Sequence, residues 1–167
     1  MVDGVPGGRE SLSSCHLPEG RPLLEPAMIA DLLNWFARYR RHDLPWRRTR
    51  PDGRRDPWRV WLAEIMLQQT TVATVAARFD SFLTRFPDVF SLASAGEEEV
   101  MEAWAGLGYY ARARHLHHAA QRIVEKWGGN FPRTFDEWAQ LPGIGSYSAA
   151  AIAAIAFGEP VLPVDIN

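Results

Sequence analysis

The chain has 167 residues, 47% of them hydrophobic and 23% charged, the balance of a folded domain able to bury a core. A net charge of −2 excludes a global basic field, and the single cysteine, Cys15, excludes an internal disulfide and a cysteine metal site within the chain. No apolar run reaches membrane-spanning length, and no charged segment followed by an apolar core opens the chain, so a cytoplasmic protein without membrane contact is expected.

Residues 1–26 are rich in Gly, Pro, Ser and Glu without periodicity, which predicts a disordered tail. From Ala27 the pattern changes. Ile29, Leu32, Leu33 and Phe36 recur at helical spacing and predict an amphipathic helix to about Arg41. Asp43-Leu44-Pro45-Trp46-Arg47 ends it, and residues 49–56 form a polar loop containing Pro51-Asp52-Gly53. Positive charge gathers here: Arg38, Arg40, Arg41, Arg47, Arg48, Arg50, Arg54, Arg55 and Arg59 stand against Asp43, Asp52 and Asp56. Arginines interleaved with Trp46 and Trp58 suit phosphate contacts, and a solvated loop accounts for the pattern equally well.

Pro57 opens the next helix in the favoured first-turn position, and the run to Thr70 is apolar nearly all round, so this helix is predicted to be buried. Glu64 lies one turn from Trp61 and one turn from Gln68 on a mostly apolar face. Desolvation raises a buried carboxyl's pKa, and a raised pKa makes it a general acid usable near neutrality. Taken alone, the residues favour a structural glutamate bonded to a backbone group or an arginine. Further helices are predicted over residues 72–86, 97–103 and 111–127, punctuated by Pro87, Gly128-Gly129 and Pro132. Between two of them, Gly106-Leu107-Gly108-Tyr109-Tyr110 forms a loop whose aromatic faces suit stacking or wedging at bases; tyrosines packed under a loop explain it as well. There is no β-alternation and no internal repeat, which predicts an all-α domain over residues 27–167.

Leu141-Pro142-Gly143-Ile144-Gly145-Ser146-Tyr147 separates a segment that can be helical (residues 135–140) from an alanine-rich one that almost must be (residues 146–157). Pro142 stops the first helix, and Gly143 and Gly145 let the chain reverse within a few residues. Ser146 is the expected N-cap of the second helix. Uncovered backbone N–H groups at such a helix start can bind a phosphate without a basic side chain, although an ordinary turn between packed helices would read the same way.

Leu141 to Tyr147, followed by a helix and a Val-Asp loop, resembles the helix-hairpin-helix DNA glycosylase superfamily. Leu44-Pro45-Trp46-Arg47, Asp56-Pro57-Trp58, the run from Trp61 to Thr70 and the run from Trp104 to Arg112 sharpen the likeness to the adenine DNA glycosylases of the MutY type, over about residues 33–167. The resemblance implies excision of adenine mispaired with 8-oxoguanine or guanine in duplex DNA. It implies Glu64 as catalytic acid and Asp165 as the catalytic aspartate, with Tyr147 and Asn167 around the reacting sugar. Gln69, Thr70, Leu67 and Tyr109 correspond to residues that probe or wedge at the 8-oxoguanine side, and Gly143 and Gly145 to the phosphate-holding hairpin; Arg47, from the arginine-rich stretch, is a further candidate DNA contact. A monomer is implied, associated with the nucleoid if the source is bacterial.

Two other readings remain. The endonuclease III type uses a lysine just after the hairpin glycines, where this chain has Tyr147; Lys126 is its one lysine. A non-catalytic helix-hairpin-helix DNA-binding module would have no use for a glutamate in an apolar helix. The chain departs from the family's Val-Asp-Gly-Asn at Ile166, and its arginine loop around residues 48–55 is longer. The family continues through four cysteines that hold a [4Fe–4S] cluster and a C-terminal recognition domain. The expected fold is therefore a six-helix barrel with part of the cluster domain, truncated at Asn167. Ile29 to Phe36 should then expose an apolar stripe.

Overall fold

The computed structural model describes residues 25–41 and 43–164. The described residues are helical, with one isolated antiparallel bridge between Thr49 and Arg55 and no strand. The expected all-α class is found. The chain divides into two compact units, residues 1–40 and 41–167.

In the first unit, α1 (Pro26–Tyr39) begins with proline in the first turn, one residue before the sequence boundary. None of its residues is buried, and Ile29, Leu32, Leu33, Trp35 and Phe36 are all exposed, so the expected apolar stripe is present. The tail expected over residues 1–26 lies outside the described residues up to residue 24.

The second unit is built around α2 (Pro57–Leu67). Asp56 caps it, its carboxylate accepting from the Trp58 N–H at 3.1 Å, and Pro57 supplies the first turn. Eight of its eleven residues are buried. A helix apolar on most faces needs cover on most sides. That cover comes from a 3₁₀ turn (Pro45–Arg47), α3 (Val72–Arg85), α6 (Ala111–Trp127) and α8 (Ser146–Ile152), all of which pack on it. At the centre, the Trp61 ring meets Trp58, Trp138 and Phe131 at centroid distances of 5.4, 5.7 and 6.1 Å.

Three short helices complete the unit: α4 (Val89–Ser94), α5 (Glu97–Ala103) and α7 (Phe135–Trp138). The sequence pattern did not show α4. A capping box between Asp88 and Ser91 opens this six-residue helix, which packs against α6. A second box, Thr134 with Glu137, opens α7, where the Glu159 carboxylate also accepts from the Phe135 N–H at 2.6 Å.

The helix predicted over residues 146–157 is regular only to Ile152. A wider π turn follows over Ala153–Phe157 and closes at Gly158 with φ +74°. Ser146 is not the N-cap. Gly145, with extended backbone, takes that position, and no side chain caps α8.

Neither the Trp61 nor the Trp138 indole N–H has a hydrogen-bond partner among the described residues. Burial of an unpaired donor opposes the gain from burying the ring. Trp61→Ala is therefore expected to lower stability by about 3–5 kcal/mol. Trp61→Phe, which keeps a ring and deletes the unpaired donor, should cost much less, and urea unfolding of the two variants checks the ordering.

Candidate active site

The carboxyl of Glu64 opens from α2 into a cleft of about 920 Å³. Three stretches distant in sequence form its walls. Leu67, Gln68 and Gln69 come from the end of α2 and the turn after it, Tyr109 and Tyr110 from the loop before α6, and Tyr147 and Ser148 from the start of α8. Arg114 and His115 of α6 complete the rim.

Apolar packing around α2 takes Glu64 out of water, and burial raises its pKa from 4.5 to about 7. Desolvation is the cause; no opposing charge or hydrogen bond lowers it. A purely structural glutamate at this position requires an arginine or backbone partner. Among the described residues no hydrogen bond or ion pair of that kind is found. Glu64 is thus a carboxyl able to hold its proton near neutrality while facing a cavity large enough for a base.

Two of the four wedge candidates share a backbone property. Gln69 (φ 54°) and Tyr109 (φ 48°) are the two non-glycine residues with positive φ among those described. Left-handed backbone at such residues is strained by about 1–3 kcal/mol and gathers where a site requires a particular side-chain direction. Tyr109 is 62% exposed, ready for contact with a partner surface. Behind Gln69 and Tyr109, Thr70 Oγ1 donates to the Leu107 carbonyl at 3.3 Å, joining the turn to the tyrosine loop.

The hairpin lies beside the cleft through Tyr147. Gly143 has φ +73°, and a Cβ there would come within 2.5 Å of His115 Cβ, so glycine is required both by conformation and by the close approach of α6. Gly143 and Gly145 are exposed and do not line the cleft. Arg47 is separate from it as well: its guanidinium donates to the Arg41 carbonyl at 3.0 Å in the arginine-rich stretch. There, a tight turn closes with Gly53 N–H on the Arg50 carbonyl (2.9 Å) and the Thr49–Arg55 bridge, leaving Arg48, Arg50 and Arg54 exposed. Asp165 and Asn167 lie outside the described residues. Glu64, Leu67, Gln69, Tyr109 and Tyr147 come together in one cleft, with Thr70 immediately behind.

The sequence reading missed two connections. Gln68 Nε2 donates to Ser148 Oγ at 3.2 Å, fastening the end of α2 to α8 across the cleft floor. Arg112 is buried and bridges the end of α2 and the loop before α6, the two segments that carry the wedge candidates. Its signal was available, since Arg112, Leu116, Ala119 and Ile123 follow the helical repeat of an inward face. No cluster of three His, Cys, Asp or Glu side chains suited to a metal occurs among the described residues. With one cysteine, the chain cannot supply four thiolates to an iron–sulfur cluster.

Residues 62–167, more than half of the chain, match the HhH-GPD superfamily of base excision DNA repair proteins, and the chain belongs to that superfamily. Among curated relatives it is similar to the adenine DNA glycosylase of Homo sapiens, 46% identical over 162 residues that cover 94% of this chain and 29% of the relative. The adenine DNA glycosylase of Mycolicibacterium smegmatis is 40% identical over 137 residues, 82% of this chain and 45% of the relative. The chain thus spans less than half the length of either. Among solved structures, a thermostable thymine-DNA glycosylase superposes with a TM-score of 0.73 at 29% identity, over 83% of this chain and 62% of that one. An endonuclease III bound non-covalently to DNA shares the fold, with a TM-score of 0.65 at 23% identity over 86% of this chain and 65% of that one.

Burial of Glu64 carries a stability signature with a defined sign. Its folded pKa is raised above the unfolded value, so the folded state holds the proton more tightly and stability falls as pH rises from 4.5 through about 7. Glu64→Gln removes this penalty. The variant should match the parent near pH 4.5 and exceed it by at most ~3 kcal/mol above pH 7. Denaturant unfolding across pH checks the crossover.

Proposed function

We propose that the parent protein is a monofunctional adenine DNA glycosylase acting on adenine opposite 8-oxoguanine or guanine in duplex DNA. The observation that carries this reading is Glu64: a carboxyl with a pKa of about 7, raised by burial, in a cleft large enough for a base, whose rim bears Gln69 and Tyr109 on left-handed backbone.

The chemistry follows from what adenine requires. An adenine anion is a poor leaving group, so N7 must gain a proton as the C1′–N9 bond breaks. Protonated Glu64 supplies it. The departing bond leaves oxocarbenium character on the sugar, and an ionised Asp165 is the proposed stabilising or trapping group, as in the paired carboxylates of glycoside hydrolysis. Water then adds at C1′, its proton returning to the Glu64 carboxylate, and leaves an abasic site. Tyr147 and Asn167 are proposed neighbours of the sugar. The target base reaches Glu64 by leaving the stack, while Leu67, Gln69, Thr70 and Tyr109 occupy the space around the opposite base. The Gly143–Gly145 hairpin and exposed arginines such as Arg48 are proposed contacts to backbone phosphates. A [4Fe–4S] cluster, if the longer protein carries one, is proposed to depend on cysteines outside these residues, and no step above uses it.

An endonuclease III-like lyase needs an amine at the sugar. Lys126, the one lysine, instead donates to Gln140 Oε1 at 2.8 Å and lies 4.3 Å from the Trp127 ring centroid, and it does not line the cleft. This favours hydrolysis without strand cleavage.

Single-turnover assays with the full-length protein on a duplex carrying one adenine:8-oxoguanine pair test the proposal. Adenine release should give strand cleavage only after alkali. The rate should fall as pH rises through about 7, as Glu64 loses its proton. Glu64→Gln should reduce release by at least about 10²-fold with duplex binding retained. Strand cleavage without alkali would overturn the monofunctional assignment, and binding without release would leave a DNA-binding module.

A further inference from the structure

We infer that Arg112 is a positioning residue that locks the two wedge segments, the turn carrying Gln69 and the loop carrying Tyr109, into one rigid unit for opening the duplex. The inference rests on the adenine-excision reading and adds a division of labour within the site: Glu64 acts on the extruded base, and Arg112 fixes the parts that extrude it.

The geometry is specific to a guanidinium. Nη1 donates to the carbonyls of Ile65 (3.0 Å) and Met66 (2.8 Å) and to that of Gln68, all at the end of α2. Nη2 donates to Thr70 Oγ1 (3.0 Å) and to the carbonyls of Leu107 (2.9 Å) and Gly108 (3.0 Å). One planar fork therefore holds two segments some forty residues apart in sequence, each through atoms adjacent to a strained residue. Its plane also lies near the Trp104 ring (5.4 Å) and the Tyr109 ring (5.5 Å). Trp104 Nε1 donates to the same Gly108 carbonyl at 3.0 Å.

Arg112 is 8% exposed, and no carboxylate pairs with it among the described residues. Carbonyl dipoles at the end of α2 neutralise its charge instead. Strained backbone persists only when its surroundings over-determine it, and Arg112 supplies that determination on both sides of the cleft mouth. A core arginine serving stability alone has no need to bond the residues that flank Gln69 and the carbonyl that precedes Tyr109.

Lysine keeps the charge and lacks the fork. In the full-length protein, Arg112→Lys is compared with the unsubstituted enzyme by single-turnover adenine release from two duplexes. One carries adenine opposite 8-oxoguanine, and the other carries an unpaired adenine as a one-nucleotide bulge, which needs little opening. The expected result is a loss of about tenfold or more on the paired substrate, a smaller loss on the bulge, and an unchanged pH profile. If lysine at this site prevents folding, Arg112→Gln, which buries no charge, is read on the same two duplexes. Equal losses on both duplexes, or no loss on either, would overturn the inference. No release from either duplex by the unsubstituted protein would instead overturn the glycosylase reading and this one with it.

Discussion

A helix that is apolar on nearly every side has to be enclosed, and the second unit satisfies that demand of α2. Eight buried residues draw α3, α6, α8 and the 3₁₀ turn onto one eleven-residue segment. Enclosure has a chemical consequence at the one acidic side chain in the segment. Glu64 is desolvated because its neighbours must be apolar to hold the helix, and desolvation moves its pKa towards neutrality. Core packing and acid strength have the same origin here. A change that loosened the packing around Trp61 would let water reach Glu64 and return it towards an ordinary carboxylate.

Around that fixed acid, the cleft is assembled from ends of elements, not from their middles. Gln69 follows α2, Tyr109 precedes α6, and Tyr147 opens α8. Loop and terminal positions hold side chains in directions that helices do not offer, at the cost of backbone strain and uncertain geometry. Arg112 answers the second problem. It reaches from the first turns of α6 to carbonyls on both strained segments, and Gln68 with Ser148 performs a smaller version of the same task on the α8 side. In the proposed reaction, base opening and proton transfer are thereby served by different parts of one framework.

Much of this was legible from residue pattern. The nearly continuous apolar run with one carboxylate points both to a buried α2 and to Glu64 as unusual. Gly143 was readable as a reversal, and its close approach to His115 adds a packing reason that one sequence does not contain. Short elements were harder. α4 has too few residues for a helical period, and only the Asp88–Ser91 box marks it. The wider turn at Ala153–Phe157 follows an alanine-rich run whose spacing suits a regular helix equally well. Ser146 was the stronger cap by residue type, yet the hairpin's reversal gives Gly145 that position. Arg112 went unread because an arginine in a helix usually faces water, and its bonding partners lie on segments joined only by tertiary structure. Asp165 and Asn167 rest on family likeness, since both lie outside the described residues.

The central claim is that Glu64 holds a proton near neutrality while facing the cleft. Its ionisation can be followed directly by carboxyl-carbon NMR of glutamate-labelled protein, with Glu64→Gln identifying the resonance. The expected titration midpoint is near 7. A midpoint near the ordinary 4.5 would show that the carboxyl is solvated and ionised under working conditions, and would contradict its proposed role as the acid.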